Sequence, residues 1–161
     1  MIIGIPREIK PEEKRVSLAP NGVESFVRHG HQVLIEQNAG EGCGIPDGDY
    51  RAAGASVKRT AGALWKKADM IIKVKEPLSS ECRLMGENQI VFTFLHLAAN
   101  KKLTRELLQK RVVGIAYETV QLNDVSLPIL RPMSEIAGHL SAQLGSRGLE
   151  KQNGGRGILM G

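Results

Sequence analysis

Aromatic side chains are scarce in this chain: Phe, Trp and Tyr together make 4% of its 161 residues. That leaves little material for stacking nucleobases. The net charge of +5 invites a nucleic-acid reading, but no block of five or six like charges concentrates it. Nucleic acid is therefore not the expected partner. Cysteine is scarce too. Cys43 and Cys82 have no metal-ligand spacing and cannot build a disulfide framework. No stretch approaches 18 apolar residues, so no membrane span is expected. The opening Met1-Ile2-Ile3-Gly4-Ile5 is too short for a signal peptide, and the expected location is cytoplasmic. Finally, no G-x-G-x-x-G phosphate fingerprint is found. The run Gly40-Glu41-Gly42-Cys43-Gly44 has the wrong spacing and reads as a tight turn in which glycine allows positive φ.

What is present is alternation. Short apolar runs at 2–5, 32–36, 69–74, 90–94 and 112–116, with a weaker one at 55–58, read as strands. Helical patterns fall between them at 20–28, 47–53, 60–67 and 101–109. Strands alternating with helices specify an α/β fold, a doubly wound and mostly parallel sheet of Rossmann or flavodoxin-like type. The segment 119–132 reads as irregular, with Pro128 and Pro132 as breakers, before a last helix over 134–150. In that helix Ile136, Leu140 and Leu144 form one apolar row. The expected organisation is an α/β domain over 1–132 and a connecting helix with the start of a further link over 133–161. The closing Gly157-Ile158-Leu159-Met160-Gly161 has no solvated terminus, as if the chain were interrupted on its way to another domain.

In parallel α/β sheets ligands gather outside the carboxyl ends of the strands. Four polar residues follow strands here: Arg15, Lys75, His96 and Glu118. Each has an unremarkable reading as solvated loop, surface lysine or turn histidine. On one rim they have another. Arginine grips a carboxylate through two parallel hydrogen bonds, lysine adds a compact charge, and an imidazole exchanges protons near neutral pH. Such a set suits an amino or keto acid. Ser134 reads as the N-cap of the last helix or as a ligand contact, and Met133 as a core filler or a cofactor contact.

Several segments carry a resemblance: Gly4-Ile5-Pro6-Arg7-Glu8, Glu13-Lys14-Arg15-Val16, Lys73-Val74-Lys75-Glu76-Pro77, Phe92-Thr93-Phe94-Leu95-His96-Leu97-Ala98, Tyr117-Glu118-Thr119-Val120 and Pro132-Met133-Ser134-Glu135-Ile136-Ala137-Gly138. On these the chain closely resembles the amino-terminal part of NAD-dependent L-alanine dehydrogenases, relatives of the nicotinamide nucleotide transhydrogenase alpha subunit. The lysine of Lys-Val-Lys-Glu-Pro and the histidine of Phe-Leu-His-Leu are absent from the transhydrogenase branch.

The resemblance implies oxidative deamination of L-alanine to pyruvate and ammonium with NAD, in L-alanine catabolism. It implies that Arg15 and Lys75 bind the substrate carboxylate, that His96 is the proton donor and acceptor, and that Ser134 and Met133 contact NAD. It also implies a homo-oligomer, a hexamer in the full-length family. The family continues with a glycine-rich dinucleotide-binding domain, so the resemblance implies a truncated substrate half, inactive by itself. His139 stands where relatives usually carry arginine. The alternatives are a non-catalytic carboxylate-binding or oligomerisation module, or a transhydrogenase alpha-like fragment.

Overall fold

The computed structural model describes residues 1–160. Two compact units divide it, Met1–Tyr117 and a second from Glu118 onward. Six strands form the first unit's sheet: β1 (Ile2–Ile5), β2 (Gln32–Glu36), β3 (Ser56–Lys58), β4 (Met70–Ile72), β5 (Ile90–Thr93) and β6 (Val113–Ala116). All neighbouring pairs are parallel, in the order β3-β2-β1-β4-β5-β6. The α/β parallel fold expected from the alternation is therefore the observed one. Helices α1 (Pro20–Arg28), α2 (Asp47–Ala52), α3 (Ala61–Trp65), α4 (Ser79–Cys82) and α5 (Lys101–Gln109) make the crossovers.

The period of two along β2 divides the core. Val33 and Ile35 join Ile5, Val23 and Tyr50 in one apolar cluster, while Leu34 joins Leu64, Trp65, Ile71 and Val91 in another. Each cluster buries the apolar side of helices against the sheet. Tyr50 is wholly buried, and its hydroxyl donates to the Leu18 carbonyl at 2.9 Å, which satisfies the polar end of the ring.

Three local expectations fail. Helix α4 was not foreseen, because four residues, Ser-Ser-Glu-Cys, show no periodicity. In the second unit, α6 (Arg131–Leu149) begins before residue 134, and Pro132 lies in its first turn instead of breaking it. Proline costs no helical hydrogen bond there. Ser134 is consequently not the N-cap. That place falls to Leu130, and the Ser134 amide donates to the Leu130 carbonyl at 3.1 Å. Among the described residues no helix is long and apolar enough to cross a membrane.

Candidate functional site

The strand order reverses direction between β1 and β4, so the crevice at their carboxyl ends is the topological switch point. Glu8 follows β1 there, and Lys73, Val74 and Lys75 follow β4. Lys73 is fully buried, with its ammonium 2.8 and 2.9 Å from the two oxygens of Glu81 and 3.4 Å from Glu8 Oε2. Glu8 Oε1 accepts the amides of Val74 at 2.6 Å and Lys75 at 3.3 Å, which ties the first loop to the end of β4. Burial pushes the Glu8 carboxyl above its ordinary range, although Lys73 and both amides oppose this. One buried cation thus faces two carboxylates, and Glu8 Oε2 accepts no hydrogen bond.

Lys75 is half-buried, and its carbonyl accepts the Thr93 hydroxyl at 2.9 Å, which joins it to β5. The next residue, Glu76, pairs with Lys10. Burial raises the Glu76 carboxyl, but the hydrogen bond and charge of Lys10, a backbone amide and His96 together lower it below its ordinary value. His96 follows β5 with φ 48, a left-handed conformation that side chains adopt rarely and that is concentrated at functional sites. Its exposed ring stacks on Phe94, centroids 5.8 Å apart and planes 10° apart. Tyr117 braces Phe94 edge-on at 5.1 Å.

Arg15 sits in the β1–α1 loop and holds Glu13 in a fork, Nε to Oε1 at 2.8 Å and Nη2 to Oε2 at 2.6 Å. This contact, supported by the Arg15 amide and by Lys75, holds the Glu13 carboxyl down at about 2. The loop backbone lies against the turn after β2. A Cβ at Gly42 would stand 2.4 Å from the Lys14 carbonyl oxygen, so only glycine fits, and Gly44 adopts φ 73. The glycine run is therefore a turn, as its spacing predicts. A cleft of about 200 Å³ lies here, lined by Arg7, Glu8, Glu13, Arg15, Asn38 and Glu41 among others. That is below the roughly 300–1,000 Å³ of drug-sized sites and of a size for a small acid.

Arg15 grips Glu13 directly, Lys75 lowers the same carboxyl only through space, and His96 does the same to Glu76 beside Lys75. Only Arg15 of these three lines the cleft. Glu118 lies in the turn after β6. Ser134, exposed, and Met133, half-buried, belong to the first turn of α6 in the second unit. Residue-type reasoning missed Glu8, Glu13, Lys73 and Glu81. Only Glu13 left a trace, a carboxylate two positions before the arginine. A larger cavity, about 670 Å³ beside Trp65, Asp69 and Gln89, opens at the amino ends of β4 and β5, away from these groups.

A parallel sheet in this order, crossing over between β1 and β4, defines an α/β domain of the doubly wound class. The chain belongs to the alanine dehydrogenase/PNT family, whose N-terminal domain matches residues 4–137. It is 58% identical over all 161 residues to an alanine dehydrogenase of Methanococcus maripaludis and 55% identical to one of Staphylococcus saprophyticus, spanning 43% of each. A solved L-alanine dehydrogenase superposes on the whole chain with a TM-score of 0.92 at 52% identity, over 44% of that structure. A transhydrogenase from Sinorhizobium meliloti matches 73% of the chain, and 34% of its own length, at 30% identity and a TM-score of 0.69.

Proposed function

We propose that this chain is the substrate-holding half of an NAD-dependent L-alanine dehydrogenase, which deaminates L-alanine oxidatively to pyruvate and ammonium. The observation that supports it most is the fork in which Arg15 holds a carboxylate, that of Glu13, at the switch point, in a chain 58% identical to an alanine dehydrogenase. In this reading the guanidinium and the ammonium bind the carboxylate of alanine or pyruvate. His96, held by its stack on Phe94, takes and returns protons at the substrate nitrogen and at the attacking water.

The described residues do not by themselves fit a dinucleotide. Where a Rossmann domain carries its glycine turn, β1 is followed by Pro6-Arg7-Glu8, and the carboxylates of Glu8 and Glu13 face that loop. No run of glycine amides is offered to a pyrophosphate there. Ser134 contributes a hydroxyl and Met133 a thioether, which are contacts to NAD and not a site for it.

Binding tests the carboxylate role directly. Saturation-transfer NMR of the 161-residue chain with pyruvate should show binding that is lost in Arg15→Met and in Lys75→Met. Equal binding by wild type and both variants would overturn the assignment.

A further inference from the structure

Glu13 lies in a loop of exposed charges, yet its side chain is only 7% exposed, against 47% for Arg15. A carboxylate gains nothing from burial alone and stays buried only when charge and hydrogen bonds hold it. Three donors do so. Arg15 Nε and Nη2 reach its two oxygens side by side, and the Arg15 amide reaches Oε1 at 3.0 Å. Two parallel bonds from one guanidinium are the geometry in which arginine takes a free carboxylate. Lys75, on a different strand end, acts on the same group.

The placement is built into the loop. The Glu13 amide closes a turn on the Lys10 carbonyl at 3.1 Å, with Glu12 held at φ 64 between them. Lys10 is anchored on Glu76, and the Ser17 hydroxyl donates to the Ile72 carbonyl at 2.8 Å. Behind the loop, Gly42 admits the Lys14 backbone at a distance that no other residue allows.

We infer that Glu13 is an internal surrogate for the substrate carboxylate: it fills the guanidinium fork of Arg15, and a ligand binds by taking Arg15 from it. The inference rests on the reading of Arg15 and Lys75 as carboxylate ligands, and it makes Glu13 a determinant of affinity and selectivity. Displacing a charge-assisted fork opposes every incoming carboxylate equally. A bare monocarboxylate such as acetate then has nothing else to offset that cost, whereas a keto or amino acid has further groups to engage. The surrogate also keeps the guanidinium compensated in the absence of ligand.

Glu13→Gln removes the charge and keeps the shape and one acceptor oxygen. The 161-residue chain and this variant are titrated with pyruvate, with Arg15→Met as the control, and labelling of Arg15 by phenylglyoxal is followed by peptide mass. Glu13→Gln should bind pyruvate about tenfold more tightly, since a bond to a charged partner is worth roughly a decade or more in affinity. Its Arg15 should also label faster. Equal or weaker binding, with Arg15→Met still defective, means that Glu13 only orients the arginine. That result overturns the inference and leaves the carboxylate site standing. Absence of pyruvate binding to both wild type and Glu13→Gln overturns both. In wild type, which needs no variant to fold, saturating pyruvate should shift the Glu13 side-chain carboxyl carbon resonance. A resonance that stays fixed overturns the surrogate role.

Discussion

At the scale of single residues, Lys73 governs how firmly the site is held. It is 1% exposed and neutralises parts of two carboxylates from different segments. Removing one member of a buried ionic cluster costs about 3–5 kcal/mol, because the other charges stay behind unpaired. Lys73→Met should therefore lower the urea-unfolding free energy by about that amount, and adding Glu8→Gln and Glu81→Gln should recover much of the loss. Glu8 alone gives a prediction of opposite sign. Burial raises its folded-state value above the ordinary 4.5, so the folded chain holds that proton more tightly than the unfolded chain does. Ionisation of Glu8 then weakens the fold above that raised value. Glu8→Gln should melt higher than wild type at pH 7, and the advantage should shrink with falling pH and vanish below 4.5. Glu13 acts in the other direction. Its lowered value adds stability above 4.5 that is lost as the pH falls toward 2. These roles were hidden in the sequence for a physical reason. Lysine is almost never fully buried, so Lys73 looks like any surface lysine until Glu8 and Glu81 are brought to it from the β1–α1 loop and α4.

At the scale of elements, legibility followed the periodicity. Strands and helices with apolar cores, such as β1, β2, α1 and α5, were readable to within a residue or so, because their patterns are long enough to carry a period. Helix α4 has four residues and was not. Pro132 and Ser134 misled because they carry two meanings each: a proline both breaks a helix and suits its first turn, and a serine both caps a helix and sits within one. The apolar row of α6 was legible, and its exposure is now specific. Ile136, Leu140 and Leu144 are 58%, 49% and 66% exposed, and no residue of the helix is buried. In proteins most helical stability comes from packing an apolar face, which α6 does not do here. Its amides should exchange with deuterium about a hundredfold faster than those of β1 and β4, where Ile3, Ile5 and Ile71 are essentially inaccessible. The homo-oligomer that the family resemblance implies would make this concentration-dependent: protection of α6 should rise with protein concentration, with a matching shift in sedimentation. Protection as strong as that of β1 at the lowest concentration would contradict it.

At the scale of the molecule, substrate grip and hydride transfer separate. The grip proposed for Arg15, Lys75 and His96 is local, since all three hang from strand ends of one sheet that has a buried core on each face. Hydride transfer demands more. The donor carbon and the acceptor ring must be held about 3–3.5 Å apart in register. The switch point carries Pro6-Arg7-Glu8 where a glycine turn would cradle a pyrophosphate, and the alanine dehydrogenases matched over this whole chain are more than twice its length. Purified 161-residue chain, mixed with L-alanine and NAD, should therefore yield no NADH absorbance while still binding pyruvate. Adding the carboxyl-terminal remainder of the Methanococcus maripaludis relative as a separate polypeptide should restore turnover, and His96→Ala in this chain should abolish what is restored. Turnover by the chain alone that survives purification and disappears in His96→Ala would show that these residues hold the dinucleotide after all.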